Sequence, residues 1–260
     1  MSADPLVLFQ QDDSGVAVVT LNRPQAMNSL DMATARAFRE VFERLATERT
    51  ARAVVLRGAG KAFSAGGDLA LLSTAPESAG ELIDHVHEGL KAMASLDAPV
   101  IASVHGAAAG AGMSLCAACD LALAAEGTRF NLAFASVGAT CDSSSTWSLP
   151  RLLGLRRALE IALLCETLDA DQALRIGLVN RVVPADQLEA ETMRLAQRLA
   201  GGATLAYGRI KRLMRQSFET TFAEQLDAER DAFQASAQTD DFRAGTSAFL
   251  GKRKPVFNAS

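Results

Sequence analysis

Two glycine-rich stretches decide how this chain reads: FSAGGDL at residues 63–69 and HGAAAGAGMSL at residues 105–115. Each follows an apolar run of strand composition, AVVLRG before the first and VIASV before the second, and the second opens into a helical segment. A strand that ends in such a turn leaves backbone amides without partners, pointing at whatever binds there. Gly67 and Ala111 are the candidates to offer two N–H groups to one developing negative oxygen, the demand that thioester chemistry makes. A helix N-terminus behind Ala111 adds its positive dipole end. The structural alternative is that these glycines only let turns pack closely.

Outward from the breaks, the pattern alternates strands with helices. LVLFQ and GVAVVTLN, joined by the polar QDDSG, predict a hairpin. Leu30, Thr34, Phe38, Val41 and Leu45 recur at helical spacing, with Ser29 or Asp31 placed to cap the start. AVVLRG predicts the next strand. LLSTAPESAG, after the first break, has turn residues and no clean period, which suggests a loop or lid. Ile83, Val86, Leu90 and Met93 mark a helix over 81–96, stopped by Asp97-Ala98-Pro99 before a strand at 100–104. A helix at 111–118 and the strands DLALAA and TRFNLAF follow. A polar cluster, ATCDSSSTW, forms a third break before the helix resumes at Trp147. Helices are then predicted at 156–164, 171–176 and 187–199, with strand-like LVNRVV between the last two. The expected class is α/β, with a core over 1–200 and a helical region over 201–260. The latter shows more apolar side chains (Leu213, Met214, Phe218, Phe222, Leu226, Phe233) than one packing face can use, which predicts subunit contacts.

Composition narrows the function classes. At 260 residues with 49% hydrophobic and 22% charged residues, the chain can bury a large core and is not a disordered segment. A net charge of -4 with no long basic run excludes a nucleic-acid field. No apolar run reaches the roughly 20 residues of a membrane helix, and MSADPLVLFQ lacks the basic and apolar blocks of a secretory leader, so a cytoplasmic setting is expected. Cys116, Cys119, Cys141 and Cys165 sit among small or apolar residues and read as buried thiols of a reducing compartment.

The titratable candidates are few. GAGK at 58–61 lacks the spacing of a phosphate loop, and neither GxGxxG nor GxSxG is present. Cys116 and Cys119 form a CxxC string without a second pair, and His85 and His87 do not share a helix face, so no metal site is expected. Asp142 stands out in an uncharged, small-polar stretch just ahead of a helix. It suits an N-cap, and it equally suits a carboxyl tuned by partial burial to move protons. His87 borders the apolar face of its helix, where structural and functional roles both remain open.

NRPQAMNSL, KAFSAGGDL, PVIASVHGAAAGAGMSL, ACDLALAAEGTRF, STWSLPRLLG, DADQALRIGLVNRVV and SAFLGKRKPVF together resemble the enoyl-CoA hydratase/isomerase family, the crotonase superfamily, over nearly the whole chain and in order. The resemblance implies a spiral of strand-strand-helix units with a helical C-terminal trimerisation region. It also implies a trimer or a hexamer of two trimers, an acyl-CoA thioester as substrate, and no cofactor beyond the substrate's own coenzyme A. It assigns the two thioester-holding N–H groups to Gly67 and Ala111. Ala65, Gly66, Asp68 and Leu69 would then lie along the path of the adenine and pantetheine. Arg23 and Lys252 would meet phosphates, Lys252 from a neighbouring subunit.

The residues of the reaction depart from the family's hydratase pattern. Where hydratases carry two glutamates this chain has Ser114 and Phe134, neither of which does acid or base work at neutral pH. Asp142 stands where family isomerases carry an acidic catalytic residue and where an aryl-CoA dehalogenase carries a nucleophile, and His87 stands where that dehalogenase has a catalytic histidine. AAGAGMSL, STWSLPR, LDAERD and TSAFLGKR look most like the 1,2-epoxyphenylacetyl-CoA isomerase branch, although TCDSSSTW has serines where that branch tends to have glycines. The expectation is an isomerase working through Asp142. The alternatives are an aryl-CoA hydrolase or dehalogenase and an acyl-CoA-binding protein without turnover.

Overall fold

The computed structural model of the chain describes residues 5–259; the first four residues, which belong to the leader reading, lie outside them. β1 (Val7–Gln11) and β2 (Val16–Leu21) form the expected antiparallel hairpin. Its turn is fixed by Asp12, whose Oδ1 accepts the Ser14 and Val16 amides at 2.9 and 3.0 Å. α1 (Met32–Glu48) is capped by Asp31, which accepts the Thr34 amide at 2.8 Å. Leu30 lies just before that helix, in an isolated bridge to Gly67, and not on its stripe. β3 (Ala53–Gly58) follows.

The stretch expected to be a loop or lid is instead α2 (Leu69–Thr74) and a short 3₁₀ turn at Pro76–Ser78. The reason is local: the Asp68 carboxylate accepts the Ala70 and Leu71 amides and so nucleates a helix that has almost no amphipathic pattern to betray it. α3 (Ala79–Ser95) starts two residues earlier than its periodicity indicates. β4 (Val100–Val104), β5 (Ala107–Ala109), α4 (Ala111–Ala118), β6 (Leu121–Ala125) and β7 (Arg129–Asn131) come next. Then follow α5 (Ser145–Leu153), α6 (Leu155–Leu164), β8 (Leu168–Asp169), α7 (Ala170–Ile176), β9 (Arg181–Val183) and α8 (Leu188–Ala200). The chain closes with α9 (Thr204–Gln216), α10 (Phe222–Ala237) and α11 (Asp240–Leu250).

Successive turns of the chain feed two sheets. The larger runs β1-β2-β3-β4-β6-β9, parallel after the hairpin, and the smaller runs β5-β7-β8. β5 and β8 escape sequence reading because they are three and two residues long. One side of the large sheet packs on α1, α3 and α4 through Phe38, Phe42, Leu56, Met93, Met113 and Leu115. The other packs on α8 through Val55, Ile101, Leu123 and Ala196. β4 is buried along its whole length, in keeping with a composition apolar but for Ser103 in a central parallel strand.

α9 is tied back to this core by a buried cluster. The Lys211 ammonium pairs with Asp120 at 2.7 Å and donates to the Leu96 and Ala98 carbonyls, and Arg215 takes the other Asp120 oxygen at 2.7 Å. Met214, Phe218, Phe222, Phe233 and Phe249 nonetheless remain exposed on α9 to α11 and their connections, and Leu155, Leu159 and Leu163 form a second exposed stripe on α6. Among the described residues, no helix is long and apolar enough to cross a membrane.

Candidate active site

The two glycine breaks are zipped together. Phe63 and Ser64 donate to the His105 and Ala107 carbonyls at 2.9 and 3.1 Å, and Ala109 donates back to Ser64 at 2.9 Å. Leu30 donates to Gly66 at 2.7 Å, and Asp68 donates to Leu30 at 3.0 Å. Gly66, at φ +91°, sits where a Cβ would lie 2.6 Å from the Ala109 carbonyl oxygen and 3.0 Å from the Ala111 nitrogen, so glycine alone allows this approach.

Two amides of the paired breaks are left without acceptors. From Phe63 to Asp68 every N–H has an acceptor except that of Gly67. Gly110 donates to Asn131 at 2.8 Å, whereas Ala111, the first residue of α4, has no acceptor for its N–H and no side-chain cap beside it. Both free amides belong to residues lining one cavity of about 370 Å³. Its walls are apolar, with Leu30, Leu72, Ile83, Val86 and Phe134 among them, and its one ionisable side chain among the described residues is Asp142.

Asp142 does not cap α5. The cap position is Ser144, whose side chain accepts no amide of the first turn, and Asp142 contributes only its backbone carbonyl, which accepts the Ser145 amide and hydroxyl at 3.1 and 2.8 Å. Asp142 Oδ1 is buried without a hydrogen-bond partner. Burial pushes the carboxyl above the usual carboxylate range, and the Ser143 hydroxyl and the charge of His87 pull it partway back. The carboxyl is held there by two left-handed serines in succession, Ser143 at φ 52° and Ser144 at φ 71°. Such backbone costs a non-glycine residue about 1 kcal/mol or more. Ser144→Gly is therefore expected to raise stability by roughly 0.5–1 kcal/mol in denaturant unfolding, the lost Ser144–Ser148 hydroxyl contact (3.1 Å) offsetting part of the gain. A destabilised variant would show that the serine is unstrained.

The other expected site residues divide. Ala65, Leu69 and Phe134 line the cavity. Gly66 shapes the hole from behind. Ser114 is fully buried on α4, its hydroxyl turned back on the Gly110 carbonyl at 3.2 Å, and does not line the cavity. His87 lines no part of it either, although its Nε2 is buried and unpartnered and its charge acts on Asp142. Arg23 is engaged by Asp68 at 2.5 Å, Ser29 at 3.0 Å and Asp31 at 3.4 Å, so its charge is balanced within the chain, and that pairing holds the Asp68 carboxyl below its usual range. Lys252 is exposed beyond α11, away from the cavity lining. The sequence reading missed Leu72, Val137 and Thr140 as walls, because nothing in local pattern distinguishes an apolar residue facing a cavity from one facing a core. The CxxC thiols are packing groups: burial raises Cys119 and pushes Cys116 up to about 12, far from thiolate.

A two-sheet spiral that ends two of its turns in paired free amides, over an apolar cavity with one buried carboxyl, defines the crotonase fold. The chain belongs to the enoyl-CoA hydratase/isomerase family, whose model matches residues 11–260. It is 36% identical over 250 residues to the 1,2-epoxyphenylacetyl-CoA isomerase of Escherichia coli, covering 94% of this chain and 95% of that one. It is 33% identical over 253 residues to the trans-2-decenoyl-[acyl-carrier-protein] isomerase of Streptococcus mutans, covering 94% and 95%. The crystal structure of a Mycobacterium smegmatis enoyl-CoA hydratase superposes with a TM-score of 0.91 at 37% identity, over 97% of this chain and 98% of that one. Relatives of both reaction types are thus at similar distance.

Proposed function

We propose that the protein is an acyl-CoA isomerase in which the Gly67 and Ala111 amides polarise the thioester carbonyl and Asp142 carries the proton. The observation that supports this reading is the solitary carboxyl. A hydratase must place and activate a water with two acid–base groups, whereas a proton shift needs one group that takes a proton at one carbon and returns it at another. Asp142 suits that cycle because burial brings its proton affinity nearer to that of the reacting carbon acid. Each amide stabilises the enolate oxygen that develops, and losing one such donor costs about 3–4 kcal/mol.

The test is product mass. Incubated with β,γ- and α,β-unsaturated acyl-CoAs and with an aryl-epoxide CoA ester, the enzyme is expected to return products of unchanged mass. A product heavier by one water as the main species sinks the proposal. A second reading is favoured by the unpartnered His87 Nε2 and Asp142 Oδ1, both buried: Asp142 attacks the halogen-bearing ring carbon of an aryl-CoA, halide leaves as the aryl–aspartyl ester forms, and His87 activates the water that cleaves that ester to the hydroxylated aryl-CoA and free Asp142. An Asp142 adduct caught by mass spectrometry distinguishes it, since isomerisation forms none.

We assign the surface of residues 201–260 to subunit contact. The exposed aromatic face of α9 to α11 and the exposed leucine stripe of α6 are two different surfaces, and unlike faces that meet head to tail form a ring when the rotation between copies closes, the arrangement assigned here being a trimer or a pair of trimers. Four free thiols suit a reducing compartment such as the cytoplasm.

A further inference from the structure

A second cavity, of about 500 Å³, is lined by residues that adjoin those of the first along two elements of the chain. Asp142 and Ser143 line the first; Ser144 lines the second. Along α3 the handover repeats: Ile83 and Val86 face the first cavity, and Leu90, Met93 and Ala94 face the second. Val86 and Leu90 are four residues apart, a rise of about 6 Å along the helix. His87 stands between them on the same side of α3, three and four positions before Leu90 and Lys91 and four after Ile83. Its Nε2 is buried and unpartnered, and the other handover falls within the left-handed Ser143–Ser144 pair.

The charges around the second cavity are spoken for. Lys91 pairs with Glu88 at 2.7 Å, Arg212 with Asp97 at 2.7 Å, Arg215 with Asp120 at 2.7 Å, and Glu219 with Arg151 at 3.3 Å. Trp147 forms part of the wall, held in place by the Arg151 guanidinium 4.1 Å from its ring centroid. With its ions paired, the cavity offers an occupant mainly the apolar surfaces of Leu90, Met93, Ala94, Ala118 and Trp147.

We propose that the second cavity receives the distal end of the acyl group, so that the protein selects acyl-CoA thioesters of roughly eight carbons or longer. This rests on the thioester reading given above. With the carbonyl at the two amides and the reacting carbons beside Asp142, the rise of about 6 Å from Val86 to Leu90 is spanned by roughly four further carbons joined by bonds of about 1.5 Å. Shorter groups end in the first cavity and gain nothing from the second. Leu90, Met93 and Trp147 are then the residues that set chain length.

Equilibrium binding of saturated acyl-CoAs tests this without any turnover. By calorimetry on the intact protein, affinity is expected to keep rising from four to ten carbons, by roughly threefold per added methylene. Ala94→Trp fills the second cavity from an exposed position on α3, and Gln216→Trp fills it from α9. Either variant is expected to bind the four-carbon ester within twofold of wild type and the ten-carbon ester at least tenfold more weakly. Affinity that is flat beyond six carbons in the wild type, or equal losses at four and ten carbons in both variants, overturns the proposal. Sedimentation of both variants supplies a further check: an assembly that dissociates in step with the loss identifies a second copy of the chain, and not the acyl group, as the occupant. Failure of every ester to bind removes the thioester reading itself, and this proposal with it.

Discussion

Asp142→Asn is expected to lower turnover of the active acyl-CoA by about 10²- to 10⁴-fold, the usual contribution of a positioned general acid–base group, while the melting temperature rises by a few degrees. The two effects have one cause. Asp142 Oδ1 is buried with no partner, and burial raises the carboxyl's proton affinity in the folded state. Between the unfolded pKa and the raised folded one, the native state binds more protons than the unfolded chain, so stability falls as pH rises through that window. At neutral pH the folded protein therefore carries a destabilising charge, which the isosteric amide removes. The stability gain should vanish in acid, below both pKa values, where wild-type Asp142 is itself neutral. In the wild type, kcat should rise with pH through a group above the ordinary carboxylate range, because the base form begins the cycle. Calorimetric melting at two pH values, with kcat on the same preparations, checks all three expectations. A variant that loses stability at neutral pH would show that the carboxylate is a structural anchor after all.

The legible and illegible parts of this site separate along physical lines. Glycine breaks after apolar runs announce themselves, since the backbone geometry at Gly66 and Gly110 admits no other residue type without strain, and the paired amides follow from that geometry. β3 and β4 were readable to the residue because a buried parallel strand is a short apolar run, broken here only by Arg57 and Ser103, with glycine at or soon after its end, and α4 because it begins directly after Gly110. α2 was not, because a single Asp68 cap outweighs its weak pattern. The role of Asp142 was undecidable from sequence: N-caps and catalytic carboxyls share residue type and position, and only the backbone, turned left-handed through Ser143 and Ser144, shows that its side chain does not cap the helix. Ser114 is a related case, read as a site residue from its position yet folded back on its own helix.

The second large effect contrasts two adjacent glycines. Gly66→Ala is expected to cost about 2–4 kcal/mol of stability and to lower kcat by about 10²- to 10³-fold, whereas Gly67→Ala should melt close to the wild type and keep kcat within tenfold. The ranking runs against the simple assumption that the residue supplying the amide must be the sensitive one. Gly67 is not among the positive-φ glycines, and a Cβ there meets only the Leu72 Cδ1 at 3.6 Å, an ordinary contact; its N–H stays where it was. Gly66 combines φ +91° with a Cβ position 2.6 Å from one backbone oxygen and 3.0 Å from the Ala111 nitrogen. Neither of these is a flexible side chain that can swing away, so the breaks must part, and parting them separates the two donors that hold one oxygen. The kinetic signature follows: Gly67→Ala narrows the cavity and shows mainly in KM, while Gly66→Ala removes stabilisation made in the transition state and shows in kcat. Melting curves together with kcat and KM for both variants decide it. Equal tolerance of the two substitutions would mean that the amides do not act as a pair.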